Sequence, residues 1–334
     1  MNFTFPRVET NVSLQQAKLE NSFYNIIDGA RVSAGKTLSV INPATGQHLA
    51  AIPDVDRALL NKAINDARNA FSGWGAVPFG RRKAILASVL NGIDDHADEL
   101  SALLTAEQGD LLAQARWEID LLTKAFGPTL MRMELHEKEQ DLRHMEHITK
   151  RYIPIDAGGA ISLWKLPVIL SFGKVLPALL AGDTVALKPS PFTPLTVLRI
   201  SEYIRELLPP GGFNVVTGGR DLWPWMTSHL GIDLIAFSRS TNIGKRKLES
   251  PAGTLKPMTR ELAGDDARAS VDPDAERIGL FGTIALFPVN WKPGRWGLAG
   301  TLLEILSFQP GFITTQVLAW GLARKTSKTF PIFR

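Results

Sequence analysis

The centre of the chain contains four short apolar segments: AISLW (160–164), TVALKP (184–189), FNVVTG (213–218) and DLIAFS (233–238). The segments between them have helix length, and TPLTVLRISEYIRELLPP (193–210) shows this most clearly. Strands that alternate with helices form a parallel sheet covered on both faces, because their crossovers are right-handed. The pattern therefore predicts an α/β fold with a doubly wound parallel sheet, in which ligands bind at the carboxyl ends of the strands.

The residues before this region predict strands followed by helices. SVINPATGQHLAAIP (39–53) indicates two strands around an Asn-Pro turn. DVDRALLNKAINDARNAFSGW (54–74) places apolar residues at helical spacing after an acidic start, and two further helical stretches cover about 81–106 and 113–130.

Composition limits the class of protein. With 334 residues, 45% of them hydrophobic, the chain can bury a core and is long enough for two or three domains. A net charge of +4 over this length does not call for a nucleic-acid partner. The charge-free run 305–323 contains Gln, Pro and Thr residues, so it is a poor membrane span, and the first 22 residues lack the apolar segment of a secretory signal. We expect a cytoplasmic protein with no membrane partner.

The sequence contains no cysteine. Disulfides, thiolate metal sites and cysteine nucleophiles are therefore excluded within these residues.

A charged block, ELHEKEQDLRHMEHITKRY (134–152), precedes the first apolar segment. We interpret it as a solvated connector. The alternative is that His144 and His147 share a helical face and bind a metal, but no carboxylate–histidine pattern with metal-site spacing surrounds them. No metal site is predicted.

Four residues near predicted strand ends are candidates for binding or catalysis. Lys188 ends an apolar strand, where its ammonium would meet ribose hydroxyls, or it is an ordinary surface lysine. Ser240 and Thr241 follow a strand and open a helix whose free N–H groups suit a pyrophosphate, or they simply cap that helix. Glu261 is a possible general base, although a single glutamate carries little information.

The order and spacing of four stretches narrow these alternatives. They are LWKLP (163–167), KPSPFTP (188–194), FSRSTNIGK (237–245) and RELAGD (260–265). Together they resemble the aldehyde dehydrogenase superfamily, fungal-type members in particular, and the resemblance extends over about residues 23–266. It implies an aldehyde dehydrogenase-like doubly wound sheet, with a Rossmann-like cofactor domain and an incomplete catalytic domain.

The resemblance also implies domain boundaries. Residues 1–22 would be an N-terminal extension, and residues 23–262 an NAD(P)-binding domain with a strand arm for subunit pairing near 134–155. Residues 263–334 would be a truncated, divergent remnant of the catalytic domain. A final pairing strand would then be missing, which weakens the expected homo-oligomer.

In the family, a cysteine thiolate attacks the aldehyde, an asparagine amide holds the oxyanion, hydride passes to NAD or NADP, and a glutamate activates water. By this resemblance Glu261 would be the general base, and Lys165 stands at the oxyanion asparagine position. The implied cofactor-binding residues are Ile161, Trp164, Lys188, Ser190, Phe237, Arg239, Ser240 and Leu262.

The sequence departs from the family pattern at several of these positions. The long stem of Lys165 cannot copy the geometry of a short amide. Arg239 replaces a glycine whose lack of a side chain lets backbone approach phosphate. Pro191 and Phe192 lack the carboxylate that would repel a 2′-phosphate, so NADP is tolerated beside NAD. The interval expected to carry the nucleophile, GLFGTIALFPVNWKPGRWGLAG (279–300), has no cysteine.

The expected function is an aldehyde dehydrogenase-like oxidoreductase that converts a small-molecule aldehyde to a carboxylic acid with NAD(P)+. Its activity would be impaired or absent because the nucleophilic cysteine is missing. Two alternatives stay open: a non-catalytic nucleotide-binding or regulatory module, and a pseudogene product that never folds stably.

Overall fold

A computed structural model describes residues 22–135, 138–142, 146–240, 258–263 and 323–329, and the side chains of residues 22–135 and 152–237. Its strands are β1 (Asn25–Ile27), β2 (Ala30–Val32), β3 (Thr37–Ile41), β4 (His48–Pro53), β5 (Lys138–Leu142), β6 (Glu146–Ile153), β7 (Ala157–Ile161), β8 (Thr184–Lys188), β9 (Phe213–Val215), β10 (Leu234–Ser240), β11 (Met258–Ala263) and β12 (Ala323–Thr329). Its α-helices are α1 (Arg57–Gly75), α2 (Phe79–Asp94), α3 (Ala97–Gln108), α4 (Leu112–Asp120), α5 (Gly127–Met131), α6 (Pro167–Ala181), α7 (Leu195–Ile204) and α8 (Leu222–Ser228), with a π-helical segment at Leu121–Phe126.

The central sheet has the strand order β11-β10-β7-β8-β9-β1-β2. The five strands from β11 to β9 are parallel, and β1 and β2 extend the sheet as antiparallel strands. The chain moves outward from β7 through β8 to β9 and then returns to the other side of β7 to form β10 and β11. The predicted doubly wound parallel sheet is confirmed.

Some predicted boundaries are wrong. Strand β7 ends at Ile161, so residues 162–164 belong to a loop and not to the strand predicted at 160–164. Ser240 is the last residue of β10 and does not follow the strand, and the helix predicted from Thr241 lies outside the described residues. The helical stretch predicted at about 81–106 divides into α2 and α3.

The charged block before β7 contains two strands. Strands β5 and β6 pair as antiparallel neighbours, and β12 pairs with the other edge of β6. The charge pattern alone did not indicate these strands, which lie where the family resemblance implies a strand arm, near 134–155. His147 lies in β6, so a helical face shared with His144 is wrong.

Helix α6 forms the centre of the core beside the sheet. Every residue in it except Gly173 is buried, and it contacts β7, β8, α2, α4 and α7. It begins with Pro167, whose ring suits the first turn, and ends at Gly182 in the left-handed conformation. A helix that is buried on all its faces is typical of a core position. None of the described helices is both long and apolar enough to cross a membrane.

Two buried glutamates accept the free N–H groups at helix starts. One oxygen of Glu118 accepts from Val168 (2.8 Å) and Ile169 (3.0 Å) in α6. The two oxygens of Glu107 accept from Leu195 (2.6 Å) and Thr196 (2.9 Å) in α7. Burial raises the pKa of Glu118 to about 8 and that of Glu107 to about 7, although these N–H donors act in the opposite direction.

Buried Arg82 joins the end of α6 to the turn between α1 and α2. Its Nε donates to the Leu180 carbonyl (2.9 Å) and its Nη2 to the Ala181 carbonyl (3.3 Å). Its Nη1 donates to the carbonyls of Gly75 and Val77. Burial lowers the pKa of Arg82, and the nearby carboxyl group of Asp183 raises it. The planar fork of a guanidinium suits these several carbonyls.

The first testable prediction concerns this guanidinium. Arg82→Lys keeps the positive charge but loses the fork, so several buried carbonyls lose their donors. We expect the free energy of unfolding to fall by about 2–4 kcal/mol in denaturant titrations. Arg81→Lys, the same change at the exposed neighbouring position, is the control and should stay within about 0.5 kcal/mol of the wild type. Equal effects of the two changes would contradict this role for Arg82.

The second prediction concerns pH. Glu107 and Glu118 bind a proton more tightly in the folded state than in the unfolded state. The free energy of unfolding should therefore decrease as pH rises above about 4.5 and through the folded pKa values of about 7 and 8. The raised pKa of buried Asp183 adds to the same trend.

In the Glu118→Gln variant the free energy of unfolding should fall by a few kcal/mol less than in the wild type between about pH 5 and pH 9, because a proton-binding group is removed. Chemical denaturation across this pH range measures the slope. Glu206→Gln, at an exposed side chain, serves as the control. A wild-type slope in the Glu118→Gln variant would show that Glu118 does not titrate as described.

Candidate nucleotide-binding site

The reversal of strand order locates a crevice in the sheet. Strands β7 and β10 are neighbours, but the chain leaves them in opposite directions, toward β8 in one case and β11 in the other. A reversal of strand order of this kind generally leaves a crevice at the carboxyl ends of the two strands. Open α/β sheets bind their ligands at such a point.

Three of the predicted cofactor-binding residues lie side by side at this edge. Phe237 of β10 is paired with Ile161 of β7, which is in turn paired with Lys188 of β8. Ile161 and Lys188 are the last residues of their strands, and all three side chains are buried. They form a row across three neighbouring strands of the sheet.

The register also places the backbone of the residues on β10 and β11. Ser238 is paired with Glu261, and Arg239 is paired with Leu262. Glu261 therefore stands one residue beyond the row formed by Phe237, Ile161 and Lys188. The predicted general base and the predicted cofactor-binding residues are thus brought to the same edge of the sheet.

Lys188 is only 4% exposed. Its ammonium donates to the carbonyl of Pro189 at 3.1 Å. Because lysine side chains are seldom fully buried, this position argues against the alternative interpretation as an ordinary surface lysine.

Ser190 has a local partner. Its hydroxyl accepts the N–H of Phe192 at 3.2 Å and so shapes the turn after β8. The ring of Phe192 is 69% exposed in that turn. In this structure Ser190 contributes to the form of the cleft wall, and its hydroxyl hydrogen is still able to donate to a ligand.

The cleft loop, residues 162–166, connects β7 with α6. Its Ser162 N–H donates to the Lys188 carbonyl (3.1 Å), which ties the ends of β7 and β8 together. In the same loop the ammonium of Lys165 lies 5.6 Å from the ring centroid of Trp164. This cation–π contact shows that Lys165, which the resemblance places at the oxyanion position, folds over the neighbouring indole.

Sequence reasoning missed the two glutamates that accept N–H groups at the starts of α6 and α7. Both helices begin at the carboxyl edge of the sheet, where a helix start otherwise offers N–H groups to a phosphate. Here Glu118 and Glu107 already accept N–H groups at both places. The sequence gives no clear signal for either, because Glu118 lies between Arg116 and Asp120, and Glu107 is followed by Gln108 and Asp110.

Metal chemistry finds no support among the residues that the structure describes, because no three His, Asp or Glu side chains there are grouped to hold an ion.

The comparisons with known proteins agree with the fold. The sequence model of the aldehyde dehydrogenase family matches residues 31–278. The chain is 32% identical over 247 residues to "Putative aldehyde dehydrogenase FUS7" of Gibberella fujikuroi, covering 74% of this chain and 53% of that protein. It is 33% identical over 235 residues to betaine aldehyde dehydrogenase of Vibrio vulnificus, covering 69% of this chain and 48% of that protein. The chain thus spans about half the length of these curated relatives.

Solved structures give the same result. An NADP-dependent enzyme of E. coli matches with a TM-score of 0.68 and 31% identity, over 72% of this chain and 51% of that chain. Aldehyde dehydrogenase C of Pseudomonas syringae, complexed with NAD+ and octanal, matches with a TM-score of 0.67 and 27% identity, over 73% and 51%. The resemblance found in the sequence is confirmed: this chain belongs to the aldehyde dehydrogenase family.

Proposed function

We propose that this chain binds NAD or NADP at the carboxyl edge of its sheet, and that the 334-residue chain oxidises aldehydes poorly or not at all. The observation that carries the first part is the row of Phe237, Ile161 and Lys188 beside the reversal of strand order. The observation that carries the second part is the absence of cysteine.

The residues at the crevice fit a dinucleotide. Lys188 brings an ammonium to the strand end, and ammonium groups donate to hydroxyl oxygens such as those of a ribose. Ile161 and Phe237 supply apolar surface on the two strands that border the crevice. Binding sites of this kind combine an apolar lining with a few polar groups.

The carboxyl groups at the starts of α6 and α7 bear on where a diphosphate would bind. Because Glu118 and Glu107 already accept N–H groups at the starts of α6 and α7, a second anion at either place would meet a buried carboxyl group. The end of β10 at Ser240 is therefore the favoured position. Pro191 and Phe192 carry no charge to repel a 2′-phosphate, so NADP is accepted beside NAD.

The cofactor, when bound, accepts a hydride. The residues that would prepare the aldehyde for that transfer are incomplete in this chain. No thiolate is available to attack the carbonyl carbon, and the ammonium of Lys165 is placed over Trp164 where the family has a short amide. Glu261 stands at the same edge of the sheet as the general base by family resemblance. It would activate a water molecule for an acyl intermediate that cannot form on a cysteine here.

The absence of cysteine also favours a second candidate, a nucleotide-binding or regulatory module that has kept the cleft and lost the reaction. A small-molecule aldehyde is the substrate class if activity remains, and self-association of this chain is part of the same proposal. The domain boundaries and a cytoplasmic location stay predictions of the sequence.

The third prediction tests the cofactor site. Titration with NADPH should change the tryptophan fluorescence of the protein in a saturable manner. Lys188→Met should raise the dissociation constant about ten-fold or more, because the buried ammonium at the cleft is lost.

Thr184→Val is the matched control for Lys188→Met. Thr184 is buried at the opposite end of the same strand, where its hydroxyl donates to the Ala67 carbonyl (2.8 Å). This change should lower stability by about 1 kcal/mol and leave NADPH binding unchanged. A wild-type protein without saturable binding, or equal weakening by both changes, would overturn the cofactor proposal.

The fourth prediction concerns aldehyde oxidation. Purified protein mixed with NAD+ or NADP+ and either octanal or betaine aldehyde should produce reduced cofactor no faster than a blank without protein. Absorbance of the reduced nicotinamide measures the rate. Turnover above the blank that disappears in the Lys188→Met variant would contradict the loss of activity, because it would depend on this cleft.

A further inference from the structure

The cleft loop contains a strained residue. Leu166, its last residue, has φ 48° and ψ 56°, the left-handed conformation that costs a residue with a Cβ atom about 1–2 kcal/mol. Leu166 is also 1% exposed, so this strained position is packed within the core. Trp164 and Lys165 directly precede it. Their direction at the cleft therefore depends on whatever keeps Leu166 in place.

Glu118 holds the backbone that follows this residue. It comes from α4, fifty residues earlier in the chain, and one of its oxygens accepts from both Val168 and Ile169. The carbonyl of Leu166 accepts from Leu170 and closes the first turn of α6. If Glu118 lost its acceptor oxygen, two buried N–H groups would be left without it. Opening this first turn toward water would relieve that cost and release Leu166.

We propose that Glu118 is a positioning residue for the cofactor cleft: by fixing the start of α6, it holds Leu166 and thereby sets the direction of Trp164 and Lys165. The side chain is 1% exposed and acts from beneath the cleft, through the backbone. This inference deepens the proposed function and rests on it for the effect on cofactor binding. The effect on the loop itself is independent of any ligand.

Asp183 is a second buried carboxyl group that accepts backbone N–H groups, but it lies away from the cleft, so it serves as a comparison for Glu118. Its Oδ1 accepts the N–H groups of Ile155 (2.6 Å) and Asp156 (3.2 Å), and the side chain is buried like that of Glu118. These bonds lie before β7, at the amino edge of the sheet. Asp183 is thus a buried acceptor before the start of β7, and Glu118 is one beyond its end. Of these two, Glu118 is the one that adjoins the cleft.

The test compares Glu118→Met with Asp183→Leu, since each change removes a buried acceptor and leaves an apolar side chain. For Glu118→Met we expect NADPH to bind about ten-fold more weakly or worse, and hydrogen exchange of the amides in residues 162–170 to become at least about ten-fold faster. Asp183→Leu should lower the melting temperature and accelerate exchange near residues 155–157. It should leave both NADPH binding and exchange in residues 162–170 within about two-fold of the wild type.

Glu118→Gln supplies the rescue. Its amide oxygen can accept the same two N–H groups, so binding and exchange below about pH 7 should stay within about two-fold of the wild type. If Glu118→Met does not fold, Glu118→Asp replaces it, because the side chain that is one methylene shorter draws the acceptor away from α6.

The outcomes separate the two proposals. If the wild type binds no NADPH, the proposed function fails, and the exchange rates of residues 162–170 still decide the role of Glu118. Unchanged exchange there in Glu118→Met, or equal weakening of NADPH binding by Asp183→Leu, would overturn the positioning role.

Discussion

Buried polar side chains at the two ends of α6 are the constraint on which the rest of the structure depends. Glu118 accepts the N–H groups at its start, and Arg82 donates to the carbonyls at its end. The charge of Arg82 complements the helix dipole at the end of α6, and that of Glu118 does so at the start once this side chain ionises above its raised pKa of about 8. A helix buried on all sides cannot use water for its terminal groups, so other parts of the chain must supply these partners.

The binding site follows from the same arrangement. Helix α6 connects β7 to β8, and its start fixes the cleft loop beside the crevice. The row of Phe237, Ile161 and Lys188 results from the register of three parallel strands, which places strand ends next to one another. Buried carboxyl groups already accept N–H groups at the starts of α6 and α7, and for this reason we propose the edge between β7 and β10 as the place of the dinucleotide.

The sheet was predictable because buried parallel strands appear as short apolar runs, and β8 has all five residues buried.

The limits of β7 were not predictable, since Gly158 and Gly159 do not look like part of an apolar strand. A Cβ atom on Gly159 would lie 3.0 Å from the Cδ1 atoms of Ile232 and Ile235, so a larger residue here would need these side chains to shift. The charge pattern of this block did not indicate its strands, because β6 pairs with β12, whose sequence lies far along the chain; only the family resemblance implied a strand arm near 134–155. Glu118 and Glu107 were missed for a similar reason: their partners are 50 and 88 residues away. The place of Glu261 at a predicted strand end made it a candidate, but its role in the site and that of Lys165 came from family resemblance.

The central claim is that the dinucleotide binds at the crevice between β7 and β10 while the two helix starts keep their own carboxyl partners. A crystal structure of the protein with NADPH tests this most directly. The account predicts a ribose beside Lys188, the diphosphate toward the end of β10, and Glu118 still bonded to Val168 and Ile169. A diphosphate at the start of α6 or α7, with Glu118 or Glu107 displaced, would contradict it.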